Sequence, residues 1–166
     1  MHPLDYNYDK RERTSNYRTR GRQAYDDVKR HNLYSFSKNQ TNGTYSVIEG
    51  RISPGGGSSP HIQKREYMGY YILDGELVFN VEGKQVISKA GTMINIPPNA
   101  IRSFKNNTDN IVRVLIIITP AGMEKLFEEV GTEVFDINIA KTSSPSEEEK
   151  KRLLEISKKY GVEIIV

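Results

Sequence analysis

Two side chains in the middle of this 166-residue chain have the chemistry of a small-molecule site. His61 lies in the stretch PHIQKREYMGYYILDGEL, residues 60–77, and can gain or lose a proton near neutral pH. Arg102 carries a permanent positive charge and can bind a carboxylate, an enolate or a polarised carbonyl oxygen through paired hydrogen bonds. Such chemistry is strongest where water is excluded, so other parts of the chain must enclose both side chains.

The segment that contains both residues, 33–119, has the pattern of many short strands separated by turns. Hairpin turns are predicted by the dipeptides NG, DG and EG at 42–43, 74–75 and 82–83. The stretch SPGGGSSP reads as a flexible loop and not as a phosphate-binding loop, because no helix follows it. Many short strands with regular turns favour a sandwich or barrel over a parallel α/β sheet. The sequence therefore predicts an all-β domain over residues 33–140.

Helical periodicity replaces strand alternation in the C-terminal part of the chain. The stretch TPAGMEKLFEEVG predicts a helix with Thr119 as N-cap that ends at Gly131. The stretch SSPSEEEKKRLLEISKKYG predicts a second helix that begins with a capping box of Ser144 and Glu147 and ends at Gly161. The side chains predicted to face inward are Met123, Leu126, Phe127 and Val130 in the first helix, and Leu153, Ile156 and Tyr160 in the second.

The sequence around His61 and Arg102 resembles two motifs of the cupin superfamily, over roughly residues 45–135. GSSPHIQKREYMGYYILDG fits the first motif, in which a glycine precedes His-x-His, a Glu and a hairpin glycine. GTMINIPPNAIRSFKN fits the second, in which a glycine precedes a proline, a His and an Asn. The C-terminal part resembles single-domain cupins of the quercetin-dioxygenase-like group. The resemblance implies a cupin jelly-roll β-barrel with an N-terminal arm, one or two C-terminal helices, a ligand pocket inside the barrel and a homodimer.

The metal ligands of the family carry over at one position of four. His61 occupies the place of the first histidine, whereas Gln63, Met68 and Arg102 occupy the places of the second histidine, the glutamate and the last histidine. Glu66 would supply the acid only if the shorter motif spacing applied. Strand alternation argues against this, because it places Met68 on the inner face and Glu66 near the loop.

This set of side chains does not favour a transition-metal site. Gln63 is a weak neutral ligand, Met68 suits only soft metals, and Arg102 cannot lose its proton. Two unit charges about 4 Å apart interact by about 4 kcal/mol at an effective dielectric constant of about 20, and a divalent ion would be repelled more strongly. No nucleotide-binding motif is present either. The sequence therefore predicts a site without a metal and without a dedicated cofactor.

Under this interpretation, Arg102 replaces the charge of the metal and His61 transfers a proton. The residues predicted to contact the substrate are Gln63 and Tyr70, which would orient it, and Met68 and Phe104, which would form apolar walls. Alternatives remain for each residue. His61 could be a structural hydrogen-bonding residue, Met68 and Phe104 could be plain core, and a one-residue slip in PPNAIR would turn Arg102 outward.

Residues 1–32 are polar and rich in tyrosine, and they predict an arm that is flexible or lies on its own barrel or a partner's. Residues 1–30 hold eight Lys and Arg against five Asp and Glu, which equals the net charge of +3 of the whole chain. The stretch RTRGR beside tyrosines resembles a nucleic-acid-binding tail. The five acidic residues reduce the net positive charge of this segment, so no nucleic-acid partner is predicted. The predicted C-terminal helix and tail occupy residues 141–166.

The chain has no cysteine, and its N-terminus lacks the apolar region of a secretory signal. We therefore expect a soluble, cytoplasmic protein with a small-molecule substrate and no membrane partner. Three functions stay open: a metal-independent isomerase, cyclase or lyase, a non-catalytic small-molecule binder, and a metal-dependent dioxygenase with unusual ligands.

Overall fold

The computed structural model describes residues 24–27, 30–130, 132–134 and 146–165. Within them are twelve strands, two α-helices and one short 3-10 helix at Lys38–Gln40. The basic segment RTRGR lies outside the described residues, so the expectations about the arm stay predictions. Residues 24–27 and 30–32, which the sequence assigned to the arm, have strand backbone.

The strands are β1 (Ala24–Asp27), β2 (Arg30–Phe36), β3 (Ser46–Ile52), β4 (Gly57–Gln63), β5 (Tyr67–Asp74), β6 (Glu76–Val81), β7 (Lys84–Lys89), β8 (Met93–Ile96), β9 (Ile101–Lys105), β10 (Val112–Thr119), β11 (Thr132–Val134) and β12 (Val162–Ile164). The helices are α1 (Glu124–Val130) and α2 (Glu147–Lys159).

The strands form two antiparallel sheets. One has the order β11-β1-β2-β3-β10-β5-β8, and the other has the order β12-β4-β9-β6-β7. Between β3 and β10, every connection except the one from β6 to β7 joins a strand of one sheet to a strand of the other. The predicted all-β jelly-roll class is confirmed by this topology.

Strict alternation of side chains builds the core between the sheets. In β3 every second residue is buried, from Ser46 to Ile52, and β10 alternates in the same way from Val112. Ile48 and Ile116 are register partners across these two strands and are almost completely buried. Each buried aliphatic side chain stabilises the fold by roughly 1.5–3 kcal/mol. The alternation therefore determines which side chains of β3 and β10 face the interior of the barrel.

The glycine-rich stretch is shorter as a loop than the sequence predicted. Strand β4 already begins at Gly57, inside SPGGGSSP. A Cβ atom at Gly57 would lie 2.2 Å from the backbone oxygen of Phe104, so only glycine permits this close pairing of β4 with β9. The glycine thus has a structural role at the rim of the barrel.

The predicted start of the first helix is wrong. Thr119 is the last residue of β10, and the helix begins at Glu124. The carboxylate of Glu124 accepts hydrogen bonds from the backbone N–H groups of Lys38, at 2.8 Å, and Gly122, at 2.7 Å. A buried carboxylate therefore stabilises the start of α1, where the N-cap hydroxyl was expected. The predicted end at Gly131 lies outside the described residues.

The capping box of the second helix is displaced by two residues from the prediction. Ser146 Oγ accepts a hydrogen bond from the Glu149 N–H at 3.2 Å, and Glu149 Oε2 accepts one from the Ser146 N–H at 2.6 Å. The sequence SSPSEEE offers both registers, and the predicted Ser144–Glu147 box was the wrong one. The predicted end is confirmed, since Gly161 follows α2 with φ of 74°.

Helices α1 and α2 pack on each other beside the barrel. Glu129 of α1 accepts hydrogen bonds from Lys159 Nζ, at 2.9 and 2.8 Å, and from the Tyr160 hydroxyl, at 2.8 Å. These contacts clamp the C-terminal end of α2 onto α1. Among the described residues, no helix has the length and apolar character needed to cross a membrane.

Candidate functional site

A cavity of about 280 Å³ lies between the barrel strands β4, β5 and β9 on one side and α1, α2 and β12 on the other. This volume is near the lower end of the range of roughly 300–1,000 Å³ found for small-molecule pockets. The residues that line it are Gly57, Ser58, Ser59, His61, Gln63, Met68, Tyr70, Phe104, Met123, Leu126, Phe127, Lys150, Leu153, Ser157, Val162 and Ile164. Most are apolar, so a few polar groups decide what the cavity can hold.

His61 reaches the cavity because β4 is irregular just before it. The pairing with β9 shifts by one residue between Ser58 and His61, and Ser58 Oγ accepts a hydrogen bond from the Phe104 N–H at 3.2 Å. His61 Nδ1 lies 2.8 Å from the Ser59 carbonyl oxygen. A carbonyl oxygen can only accept, so Nδ1 carries the hydrogen and the neutral ring has its lone pair on Nε2. The half-buried imidazole is therefore held in one tautomer.

Arg102 points into the protein from β9, directly opposite His61 in the strand register. Its side chain is only 2% exposed, and Nε, Nη1 and Nη2 all lack a hydrogen-bond partner among the described residues. Burial lowers the pKa of Arg102, while Tyr70 and Glu66 oppose this shift. The alternative of an outward guanidinium is thus wrong. Arg102 is not among the residues that line the cavity.

Glu66 lies in the loop just before β5, and its side chain is buried in the interior. It is 2% exposed, and its Oε2 has no hydrogen-bond partner in the described part of the chain. Burial raises the pKa of Glu66, and the charges of Arg65 and Arg102 oppose the rise. The predicted position of Glu66 near the loop agrees with the structure, although its side chain is buried.

The four residues predicted to contact a substrate all line the cavity, although nothing here tests that role. Gln63 is 3% exposed, and its Oε1 has no hydrogen-bond partner within the described ranges. The rings of Tyr70 and Phe104 are 5.9 Å apart, and each contacts Phe79, at 5.1 and 5.8 Å respectively. Met68 is buried beside them. This part of the cavity wall is therefore mainly aromatic and apolar, and the side-chain amide of Gln63 is its polar group.

The side chains at the family's metal positions do not fit a divalent ion. One imidazole, one amide and one thioether stand there with a buried guanidinium, which would repel a cation. Within residues 24–27, 30–130, 132–134 and 146–165, no three His, Asp or Glu side chains form a group that could hold a metal. The mismatch lies in the donor set, because Arg102 cannot lose its proton.

Helix α2 contributes cavity residues that the sequence analysis did not predict. Lys150, Leu153 and Ser157 line the cavity, and the spacing of three and four residues puts them on one helical face. Ser157 is 3% exposed, and Lys150 Nζ donates to Glu147 Oε1 at 2.6 Å. The helical period could have identified this face, but only the fold shows that it covers the barrel.

Comparison with protein families gives one match in the region of the site. Residues 48–118 match the family model described as a cupin domain. This range includes His61, Glu66 and Arg102. No curated protein matches the chain significantly.

Solved structures with the same fold come from several organisms. A predicted oxalate decarboxylase from Thermotoga maritima is 26% identical, with a TM-score of 0.53 over 55% of this chain and 80% of that one. KdgF from Halomonas sp. is 14% identical, with a TM-score of 0.54 over 61% of this chain and 89% of that one. Streptomyces PAC13, solved with uridine, is 18% identical, with a TM-score of 0.52 over 62% of this chain and 78% of that one. The last two similarities show the fold alone.

Proposed function

Because this chain belongs to the cupin superfamily, we propose that it binds a small anionic or carbonyl-bearing molecule in its barrel and acts on it by proton transfer without the usual metal. The family match and the cavity support a small-molecule cupin. The specific chemistry, which could be isomerisation, cyclisation or elimination, is our proposal. Membership of the quercetin-dioxygenase-like group stays a prediction.

The observation that carries the proposal is the buried guanidinium of Arg102 without a hydrogen-bond partner. A buried cation without partners costs several kcal/mol relative to solvent, and a bound anion would recover much of that cost. On β9, Arg102 is opposite His61, and both His61 and Tyr70, which interacts with Arg102, line the cavity. An anionic or polarised oxygen beside these residues would interact with Arg102 through a medium of low dielectric constant.

His61 is the residue proposed to move the proton. With Nδ1 donating to the Ser59 carbonyl oxygen, the neutral ring has its accepting lone pair on Nε2. Removal of a proton from a carbon next to a carbonyl group gives an enolate, whose negative charge Arg102 would stabilise. Return of the proton to a different atom completes an isomerisation. Loss of a leaving group from the enolate completes an elimination.

A non-catalytic binder is the second candidate, and a specific observation favours it. Arg102 and Glu66 are each 2% exposed, and neither is among the residues that line the cavity. Such an arrangement can attract an anion without taking part in a reaction. In that case Arg102→Met would weaken binding, and neither the variant nor the wild type would convert any ligand.

The test combines binding and turnover with a panel of small carboxylic and keto acids. Arg102→Met should lower the affinity for every anionic ligand by about tenfold or more, and Arg102→Lys should retain part of it. Arg113→Met, which removes one positive charge from the surface, is the control and should bind as the wild type does. His61→Ala should abolish turnover but retain binding. Unchanged anion binding by a folded Arg102→Met protein would refute the proposal.

Metal content tests the remaining alternative of a metal-dependent dioxygenase. Protein purified without chelators should contain far less than one equivalent of iron, manganese, nickel or zinc. A near-stoichiometric metal would contradict the donor-set argument. The homodimer also stays a prediction, and light scattering at micromolar concentration measures it directly.

A further inference from the structure

Strand β12 lies directly beside the strand that carries His61. In the five-stranded sheet, β4 is flanked by β9 on one side and by β12 on the other. The register partners across β4 and β12 are Gln63 and Val162, Ile62 and Glu163, and His61 and Ile164. Without β12, β4 would be an edge strand with an unpaired backbone on that side. The backbone around His61 therefore depends on a segment far away in the sequence.

The hydrogen bonds between the two strands place a side chain of β12 next to the imidazole. The Ile165 N–H donates to the Pro60 carbonyl oxygen at 2.9 Å, so these two residues occupy a hydrogen-bonded position of the ladder. Such positions alternate with non-hydrogen-bonded positions, at which the side chains are closer together. His61 and Ile164 occupy the next position, and both line the cavity. Ile164 is therefore the neighbour of His61 on the β12 side.

The other side of β4 gives less support to the residues just before His61. The pairing with β9 shifts between Ser58 and His61, and neither Ser59 nor Pro60 has a register partner on β9. Pro60 also has no N–H group with which to donate to a neighbouring strand. In the described part of the chain, the backbone hydrogen bond that ties Ser59 and Pro60 to a neighbouring strand is the one from Ile165.

This hydrogen bond acts on the contact that fixes the proton of His61. The Pro60 carbonyl belongs to the planar peptide unit that leads to His61, so holding it sets the direction of the His61 side chain. The proline ring fixes φ of Pro60, which limits how the Ser59 carbonyl can turn relative to that unit. The Ser59 carbonyl oxygen lies 2.8 Å from His61 Nδ1. Both ends of this contact are therefore held through Pro60.

We propose that β12 is a positioning element for His61, which acts through the hydrogen bond from the Ile165 N–H to the Pro60 carbonyl oxygen. It holds the Ser59 carbonyl within reach of Nδ1 and so keeps the neutral imidazole protonated there, with its lone pair on Nε2. Without this hydrogen bond, the contact between Ser59 and His61 loosens and the ring adopts the other tautomer more often. The consequence for proton transfer rests on the proposed function of His61, whereas the effect on the tautomer does not.

The experiment measures the tautomer of His61 by proton–nitrogen correlation NMR of the full chain with isotope-labelled histidine. A mildly alkaline buffer keeps an ordinary imidazole neutral. The chain has three histidines, and the spectrum of His61→Ala assigns the signals of His61. The wild-type ring should carry its proton on Nδ1. Ile165→Pro removes the N–H donor and should shift the ratio of the two tautomers towards Nε2–H by about fivefold, the effect of losing one hydrogen bond.

Two further variants of β12 separate the donor from its surroundings. Ile165→Ala is the matched control, because it keeps the N–H and removes a side chain that is 37% exposed. It should keep the wild-type tautomer ratio. Ile164→Gly weakens the same strand, because glycine has no side chain to pack beside His61 and costs backbone entropy. It should shift the ratio in the same direction as Ile165→Pro, and it decides the case if Ile165→Pro does not fold.

The outcomes separate this inference from the proposed function. The role of β12 is overturned if Ile165→Pro keeps the wild-type tautomer ratio, or if Ile165→Ala shifts it equally. A wild-type ring protonated mainly at Nε2 overturns it as well. The measurement uses no ligand, so its failure leaves the proposed anion site intact. That site fails instead if Arg102→Met binds carboxylic acids as tightly as the wild type does. Thermal unfolding of each variant confirms that the barrel is intact before the spectra are compared.

Discussion

Two arginines on strands of opposite sheets have opposite environments. Arg113 lies on β10 with a side chain that is 45% exposed, and its Nε and Nη2 donate to Glu49 Oε1 at 3.0 and 2.8 Å. Arg102 lies on β9, is 2% exposed and has no hydrogen-bond partner among the described residues. Bulk water would satisfy Arg113 without Glu49, whereas Arg102 is almost completely removed from bulk solvent. If the arrangement served stability alone, the buried Arg102 would need a hydrogen-bond partner more than the exposed Arg113 does. The comparison therefore indicates a ligand-binding role for Arg102.

Two glutamates give the same contrast for negative charge. Glu129 is on the surface between α1 and α2, and hydrogen bonds from Lys159 and Tyr160 lower its pKa. Glu66 is buried beside the cavity, and its burial raises its pKa. The surface acid stabilises the fold in its charged form. The interior acid is destabilised in its charged form, which is typical of groups that serve a site.

The largest effect is expected from removing each arginine in turn. Arg102→Met should raise the free energy of unfolding by about 1–4 kcal/mol, because a buried charge without partners is replaced by an apolar side chain. Arg113→Met should lower it by about 0.2–1 kcal/mol, because an exposed ion pair is lost. Urea unfolding of both variants measures the difference. A marked loss of stability in Arg102→Met would show that the guanidinium has a structural role.

The two glutamates should give pH dependences of opposite sign. Glu66 keeps its proton to a higher pH in the folded protein than in the unfolded protein. Its buried charge therefore destabilises the fold as pH rises above 4.5, the ordinary pKa of a glutamate. The stability of Glu66→Gln relative to wild type should therefore increase as pH rises through that window. The pKa of Glu129 in the folded protein is lowered from 4.5, so charged Glu129 stabilises the fold. This stabilisation is lost as pH falls below 4.5. Unfolding curves between acidic and neutral pH measure both trends, and equal slopes would contradict the assignments.

The smallest effect is expected at the clamp between the helices. Tyr160→Phe removes the hydroxyl that donates to Glu129 Oε2 and leaves the ring in place. Amide hydrogen exchange in the last turn of α2 should become faster, with little change in global stability. Tyr67→Phe, at an exposed tyrosine on β5, is the matched control and should leave exchange in α2 unchanged. Equal exchange in both variants would show that the clamp does not depend on this hydroxyl.

Much of the fold could be predicted from local signals. The Glu82-Gly83 hairpin between β6 and β7, the alternation in β3 and β10 and the apolar stripe of α1 depend on neighbouring residues, and the structure agrees with them. The hairpin predicted at Asp74-Gly75 is wrong, because β5 and β6 belong to different sheets and do not pair. The exact starts of the helices could not be predicted in this way. Thr119 satisfied the rules for an N-cap but lies at the end of β10, because pairing along the sheet extends that strand. SSPSEEE offered two capping boxes, and local sequence does not distinguish them.

The sequence by itself determined that a barrel would form, that its motif positions held one histidine in place of a full metal-ligand set, and that an arginine stood where a metal was expected. It could do so because residue types and strand periods are local properties. Only the tertiary structure decided that Arg102 is buried without a hydrogen-bond partner among the described residues, that Glu66 is buried too, and that α2 lines the cavity. Burial and charge pairing depend on contacts between residues far apart in the chain, and no local pattern contains that information.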